Sequence, residues 1–149
     1  MESVIYFYDA LSRRISEDNL FLSNFFESPF TVDGKTYCTV EHYFQSQKFL
    51  DPEIQERIRN AKSPVLAKKL GRKFTLREDW NSFRNKVMAE ALKHKFEQND
   101  SLREKLINTG DAILVENSPR DRYWGGALPG SKNKLGLMLM ELRSKLKET

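Results

Sequence analysis

The chain has few of the residues that build metal centres and disulfide frameworks. Its 149 residues include one cysteine, Cys38, and two histidines, His42 and His94. A single cysteine cannot form an internal disulfide, and one thiol with two imidazoles does not have the spacing of a zinc site. We therefore expect no metal. We also do not expect Cys38 to act as a nucleophile, because the spacing implies no histidine partner.

Long apolar runs and a strong charge of one sign are also absent. No segment approaches the roughly 20 apolar residues of a membrane span, and residues 1–4 lack a basic region followed by an apolar one. We expect a cytoplasmic protein that does not contact a membrane. The net charge of +4 slightly favours an anionic partner such as a phosphate ester or a nucleic acid.

The apolar pattern predicts one mostly helical α+β domain over residues 1–149, with a few short strands. Strands are expected at 4–8 and 112–115, and Asp33-Gly34 predicts an early β-hairpin of 30–32 with 35–37. Residues 20–26 are expected to form a loop on the core. Helices are predicted at 39–49, 52–60, 64–70, 80–98, 102–107 and 133–146. Thr39, Ser63 and Asp79 are expected to cap helices, and Gly71 and Gly110 to end them.

Residues 39–49 carry polar side chains at helical spacing. In a helix, Glu41, Gln45 and Lys48 lie within about 60° of one another. The adjoining face is apolar and is expected to enter the core through Val40, Tyr43, Phe44 and Leu50. Such a polar stripe lies either in a pocket or on a surface with ion pairs, and the spacing alone does not decide between them.

Several segments together match the pattern of one known family. They are Leu22-Ser23-Asn24-Phe25, Asp33-Gly34-Lys35-Thr36-Tyr37, Glu41-His42-Tyr43-Phe44-Gln45 with Lys48, Lys95-Phe96-Glu97-Gln98-Asn99, Thr109-Gly110, Leu114-Val115-Glu116, Asp121 with Trp124-Gly125, and Asn133-Lys134-Leu135-Gly136 leading to Leu139-Met140-Glu141-Leu142-Arg143. In order and content they resemble the NADAR family, over roughly residues 5–146. The resemblance implies an enzyme that hydrolyses an N-glycosidic bond between a ribose and a nitrogen base, without a metal or an organic cofactor.

The resemblance implies two activities. One cleaves phosphorylated ribosylamino-pyrimidines, early intermediates of riboflavin synthesis. The other removes ADP-ribose from guanine bases of nucleic acid, where a toxin ADP-ribosyltransferase is an associated partner. We expect the small ribosyl phosphate, because a charge of +4 is modest for an enzyme acting on nucleic acid. A third hypothesis is a non-catalytic module that binds ADP-ribose or nucleic acid.

The resemblance assigns catalysis to Glu41, Lys48 and Asp121. Glu41 would stabilise positive charge at the anomeric carbon, although an acid in a first turn also stabilises a helix by itself. Lys48 would attack C1′ to give a Schiff base, would bind phosphate or ribose while water attacks, or would simply be solvated. Asp121 would hold ribose hydroxyls or position water, or would serve a turn.

The residues expected to contact substrate are Ser23, Asn24, Phe25, Tyr43, Gln45, Trp80, Trp124, Gly125 and Asn133. Trp124 can stack on a base, but a buried tryptophan is more often a core residue, and the same applies to Trp80. Gly125 allows a ligand to approach the backbone closely. Asn133 can cap the last helix, whose first N–H groups can also bind a phosphate. His42 is expected to be partly buried and hydrogen-bonded rather than a catalytic base.

Overall fold

A computed structural model of the chain describes residues 3–9 and 14–149, so the expectation drawn from Met1 and Glu2 lies outside them. The described residues form seven helices and four short strands, about 49% helix and 10% strand. The predicted α+β class is therefore confirmed. The chain groups into two compact units, residues 27–99 and residues 1–26 with 100–149. The domain extent of 1–149 stays a prediction.

The 27–99 unit begins with the predicted hairpin. Strand β2 (Phe30–Val32) pairs antiparallel with β3 (Lys35–Tyr37). The two turn residues have positive φ angles, 50° at Asp33 and 78° at Gly34. A tight turn with two positive φ angles matches the twist of the strands that it joins, which is why an Asp-Gly pair favours a hairpin here.

Four helices complete this unit: α1 (Val40–Ser46), α2 (Pro52–Arg59), α3 (Pro64–Leu70) and α4 (Trp80–Gln98). Thr39, Asp51 and Ser63 each accept a backbone N–H at the start of the helix that follows, as the unpaired N–H groups of a first turn require. Helix α1 packs against the other three. The inward face of α4 buries five residues at helical spacing, Val87, Met88, Ala91, Leu92 and Phe96.

Two local expectations in this unit are wrong. Asp79 does not cap α4 with its side chain, because its carboxylate accepts two bonds from the Arg77 guanidinium, at 2.6 and 3.0 Å. Leu50 is 70% exposed, whereas Phe49 is 2% exposed and packs with Ile58 and other core residues. Helix α1 ends earlier than predicted, and the next backbone bonds span only three residues. This tighter turn rotates position 49 inward.

The other unit pairs strands from distant parts of the chain. Strand β1 (Val4–Phe7) runs parallel to β4 (Ile113–Glu116), within about one residue of both predictions. Where a loop was expected at 20–26, a 3-10 helix (Glu17–Leu22) comes first, and its Phe21 and Leu22 are buried.

Two longer helices complete this second unit. Helix α5 (Asp100–Asn108) is followed by Gly110, whose φ of 66° is the predicted left-handed conformation. Helix α6 (Lys134–Lys147) packs on β4 and α5. No helix within the described residues is long and apolar enough to cross a membrane.

Candidate active site

The predicted site residues divide between the two units. The 27–99 unit contains Glu41, Tyr43, Gln45, Lys48 and Trp80. The other unit contains Ser23, Asn24, Phe25, Asp121, Trp124, Gly125 and Asn133. Contacts within each unit define the local geometry of these groups.

Helix α1 buries a carboxylate together with an amide. Glu41 is 7% exposed and Gln45 is 4% exposed. The two residues are one helical turn apart, and Nε2 of Gln45 donates a hydrogen bond of 2.6 Å to Oε2 of Glu41. A buried carboxylate requires such donors because burial removes its hydration. Of the two alternatives for the polar stripe, the surface with ion pairs is therefore excluded for Glu41 and Gln45.

The other atom of the Gln45 amide, Oε1, is buried and has no hydrogen-bond partner among the described residues. It faces Gly71, the residue directly after α3. A Cβ atom at position 71 would overlap Oε1 and lie 2.9 Å from Cδ of Gln45. A buried, unpaired carbonyl oxygen costs about 1–3 kcal/mol, so this arrangement is held at some expense of stability.

Lys48 lies in the turn that ends α1 and is half-buried. Its Nζ is 5.6 Å from the ring centroid of Phe44 and belongs to none of the ion pairs found among residues 3–9 and 14–149. Burial lowers the pKa of Lys48 below its usual 10.5; the charge of Glu41 opposes this, and the charges of Arg72 and Lys68 add to it. A lysine with a lowered pKa has more of its amine in the neutral, nucleophilic form.

The two large rings predicted to bind substrate in this unit are packed in the core. Tyr43 is buried edge-on to Tyr37, with ring centroids 5.0 Å apart, and burial raises the pKa of Tyr43 to about 12. Trp80 is buried against Phe44, with centroids 5.1 Å apart. Packing accounts for both rings, and their contact with substrate stays a prediction.

His42 is buried and hydrogen-bonded through both ring nitrogens, as expected. Its Nε2 lies 3.0 Å from the carbonyl oxygen of Ala61, which can only accept, so Nε2 carries a proton. Its Nδ1 lies 2.8 Å from Oγ1 of Thr39. Burial lowers the pKa of His42, which agrees with a neutral ring that accepts the Thr39 hydroxyl proton. This arrangement fixes the start of α1.

In the other unit, the Asp121 carboxylate is oriented by the backbone. Oδ1 accepts the N–H groups of Tyr123 and Trp124, each at 2.8 Å, and Oγ of Ser118 accepts the Asp121 N–H at 3.0 Å. Oδ2 makes no hydrogen bond with any described residue. The turn role considered for Asp121 is present, and it occupies only one of the two carboxylate oxygens.

Asn133, which directly precedes α6, is tied to strand β4 by its side chain. Its Nδ2 donates to the Leu114 carbonyl at 2.9 Å, and its Oδ1 accepts the Glu116 N–H at 3.1 Å. Its φ is 49°, and it makes no side-chain cap bond to α6. The expected cap by Asn133 is wrong because its amide is bonded to the strand instead. A contact of Asn133 with substrate stays a prediction.

The remaining predicted residues of this unit also contact other protein groups. Oγ of Ser23 donates to Oδ1 of Asp9 at 2.7 Å and accepts the Phe25 N–H at 3.0 Å. A Cβ atom on Gly125 would lie 2.6 Å from Oε2 of Glu116 and 2.5 Å from the carbonyl of Asp121, so the protein itself requires this glycine. Asn24, Phe25 and Trp124 are partly buried.

Sequence reasoning did not single out Gly71, Lys95 or Glu116 as site residues, and each has an unusual environment. Lys95 on α4 is fully buried, and burial lowers its pKa to about 7. Glu116 is also buried. The burial of Lys95 could have been predicted from the sequence, because Lys95 lies three residues after Leu92 and therefore on the inward face of α4. No cluster of three or more potential metal ligands was found among the described residues.

Comparison with known proteins places this chain in a family. The family described as "NADAR domain" matches residues 6–147. N-glycosidase YbiA of Escherichia coli (strain K12) is 46% identical over 97% of this chain and 89% of its own length. Riboflavin biosynthesis protein VVA0006 of Vibrio vulnificus (strain YJ016) is 38% identical over 99% of this chain and 40% of its own length.

A solved structure gives the same result. The NMR structure of E. coli YbiA matches the fold with a TM-score of 0.84 and 44% identity, over 99% of this chain and 88% of that one. The predicted enzyme class, an N-glycosidase, is confirmed by relatives of that name that match nearly the whole chain. The chain belongs to the NADAR family.

Proposed function

We propose that the enzyme hydrolyses the N-glycosidic bond of a phosphorylated ribosylamino-pyrimidine, with Lys48 as nucleophile and Glu41 as the proton carrier. One observation carries this proposal. In the 27–99 unit, a buried carboxylate held by Gln45 is coupled electrostatically to a half-buried lysine that forms no ion pair with the described residues and has a lowered pKa.

The covalent route starts from the neutral amine of Lys48. Its nitrogen attacks C1′ of the ribose, the bond from C1′ to the base breaks, and the base leaves with one of the two protons of the Lys48 amine. The amine then loses a proton, the bond from C1′ to the ring oxygen breaks, and a Schiff base forms between Lys48 and C1′. Water adds to C1′, the amine departs, and the ribose phosphate is released.

Glu41 is suited to move the protons in these steps. It takes the proton that the Lys48 amine loses and gives it to the ribose ring oxygen as the ring opens. Its carboxylate also stabilises the positive charge that develops at C1′. The Gln45 amide donates to Oε2 of Glu41 and orients the carboxylate for this acid–base work.

The phosphorylated substrate is supported by charge and by a relative. Lys68 and Arg72 lie close enough to Lys48 to lower its pKa, and this group of cations favours an anion such as a ribose phosphate. The Vibrio relative is named a riboflavin biosynthesis protein, which supports an early pyrimidine intermediate as substrate.

For Asp121 we propose that Oδ2, which makes no bond with the described residues, binds ribose hydroxyls.

The test uses the full chain with freshly made ribosylamino-pyrimidine phosphate, following base release by mass spectrometry. We expect release that is lost in Glu41→Gln and Lys48→Ala and kept in Lys69→Ala, an exposed lysine on α3. Borohydride added during turnover should attach the sugar phosphate to Lys48, which peptide mapping would detect. Turnover without any trapped adduct would favour direct attack by water.

A second substrate in the same experiment separates the alternatives. Guanine-ADP-ribosylated single-stranded DNA is offered in parallel, with release of ADP-ribose as the signal. Release only from the DNA would overturn the pyrimidine substrate and keep the N-glycosidase. Binding of ADP-ribose or DNA that weakens with salt, without product from either substrate, would instead indicate a binding module.

A further inference from the structure

We propose that Gly71 is a positioning residue for the reaction: by lacking a side chain it holds the Gln45 amide in the orientation that bonds to Glu41. The catalytic consequence rests on the function proposed above for Glu41. The geometric part does not, because it concerns contacts among three residues of the 27–99 unit.

The backbone at position 71 does not explain the glycine. Gly71 has φ −63° and ψ −11°, a conformation that any L-residue adopts, so it does not end α3 through the left-handed geometry that favours glycine. What requires glycine is space. An added Cβ would overlap Oε1 of Gln45 and lie 2.9 Å from Cδ, while Cβ of Gln45 would be at an ordinary 3.4 Å.

The orientation of the amide follows from its two neighbours. Nε2 of Gln45 points at Oε2 of Glu41, 2.6 Å away, and Oε1 points at Gly71. A flipped amide would place two acceptor oxygens at hydrogen-bond distance, which an ionised carboxylate does not tolerate. Oε1 therefore faces the hydrogen that occupies the Cβ position of Gly71, a weak Cα–H···O contact, and finds no stronger donor among the described residues.

Any side chain at position 71 would push the Gln45 amide away from this position. Glu41 would then lose the Gln45 donor on Oε2, which helps to orient its carboxylate. Gly71 does not touch the reacting atoms in this account. It acts through Gln45, on a group proposed to carry protons.

The test is a double-mutant cycle of wild type, Gly71→Ala, Gln45→Ala and the double variant. We expect each single variant to lower kcat by about tenfold or more, as for a misplaced acid–base group. We expect the double variant to match Gln45→Ala, because alanine at 45 keeps only the Cβ atom at an ordinary distance from the new one. Losses that multiply in the double variant would overturn the proposal.

Further readouts separate positioning from a general loss of packing. The proposed reaction needs both Lys48 and Glu41 deprotonated, so its pH–rate profile should have two inflections. In Gly71→Ala the one at lower pH, which belongs to Glu41, should move to higher pH, because the carboxylate has lost a donor that favours its charged form. Lys69→Ala, an exposed substitution on α3 two residues before Gly71, should leave the profile unchanged. A Gly71→Ala profile identical to wild type would overturn the proposal.

One measurement remains decisive even if no tested substrate is cleaved. Carbon-13 NMR of the side-chain carboxyl of Glu41 follows its titration in the folded protein without turnover. We expect the midpoint to rise in both Gly71→Ala and Gln45→Ala. An unchanged midpoint in Gly71→Ala would reject the positioning role, whereas absent turnover with a raised midpoint would reject only the proposed function.

Discussion

Oδ1 of Asp121 accepts the backbone N–H of Trp124 at 2.8 Å, and the same oxygen accepts the N–H of Tyr123. These bonds fix the carboxylate plane and the start of the following turn. The second oxygen, Oδ2, forms no bond with the described residues. Oδ1 therefore has a structural role, and Oδ2 is the oxygen that we propose binds ribose.

This division predicts different effects for two substitutions of Asp121. Asparagine keeps an acceptor oxygen for both N–H groups but removes the negative charge. Asp121→Asn should therefore fold normally and lose about 100-fold in kcat/KM, the effect of losing a charged hydrogen bond to the ribose. Alanine removes the acceptor, so Asp121→Ala should also lose about 1–2 kcal/mol of stability. Melting temperature and base release would be measured together. Wild-type turnover in Asp121→Asn would reject the proposed role.

The lowered pKa of Lys48 predicts the pH dependence of the reaction. Because burial favours the neutral amine, the nucleophilic form should appear at a pH below the usual 10.5, and kcat should rise with pH through that midpoint. Arginine does not deprotonate in this range, so Lys48→Arg should be inactive at every pH. The measurement is the pH–rate profile of base release. A rate that is flat up to pH 10.5 would contradict the amine as nucleophile.

Most of the features that were predicted correctly from the sequence depend on the chemistry of neighbouring residues. Asp33-Gly34 required positive φ angles and formed the hairpin turn, and Thr39 had a hydroxyl available for an unpaired N–H. The spacing of Glu41 and Gln45 placed them one helical turn apart, so their bond follows directly. Such features depend only on neighbours within a few residues.

Features that depend on partners far away in the chain were not predicted from the sequence. The parallel pairing of Val4 with Ile113 joins distant parts of the chain, and no local pattern encodes it. Gly71 directly follows the last residue of α3, as predicted, but the contact that requires a glycine there comes from Gln45 on another helix. Asn133 looked like a cap because its strand partners are far away in sequence. A polar side chain such as that of Asn133 can cap a helix locally or bond to a group far away in the sequence, and here the tertiary structure provides the distant partner.

The bonds of Asn133 to β4 predict a large stability loss on truncation. Asn133→Ala removes the bonds to Leu114 and Glu116 and leaves alanine at φ 49°, for a total of about 3 kcal/mol. In a chain of this size the melting temperature should fall by about 6–12 °C. Asn133→Gly tolerates the backbone angle and should lose about 1 kcal/mol less. Equal melting temperatures for the two variants would show that the backbone angle contributes nothing.

The buried Lys95 predicts a distinctive pH dependence of stability. Its pKa is about 7 in the folded protein against a usual 10.5, so the unfolded chain binds more protons between these values. The free energy of unfolding should therefore gain up to about 1.4 kcal/mol per pH unit from this group above pH 7, and the full penalty of the buried charge should be present below it.

Lys95→Met isolates this contribution. Methionine does not titrate, so the stability difference between Lys95→Met and wild type should be most favourable to methionine near pH 6 and shrink steadily from pH 7 to 9. If the ammonium group makes a contact that methionine cannot replace, that contact would change the difference in free energy of unfolding between the two proteins by the same amount at every pH. The slope of that difference against pH would therefore not change. Lys93→Met, an exposed substitution on the same helix, serves as the matched control. Urea unfolding of the three proteins at pH 6, 7, 8 and 9 gives the slopes, and parallel curves for Lys95→Met and wild type would show that Lys95 stays charged in the core.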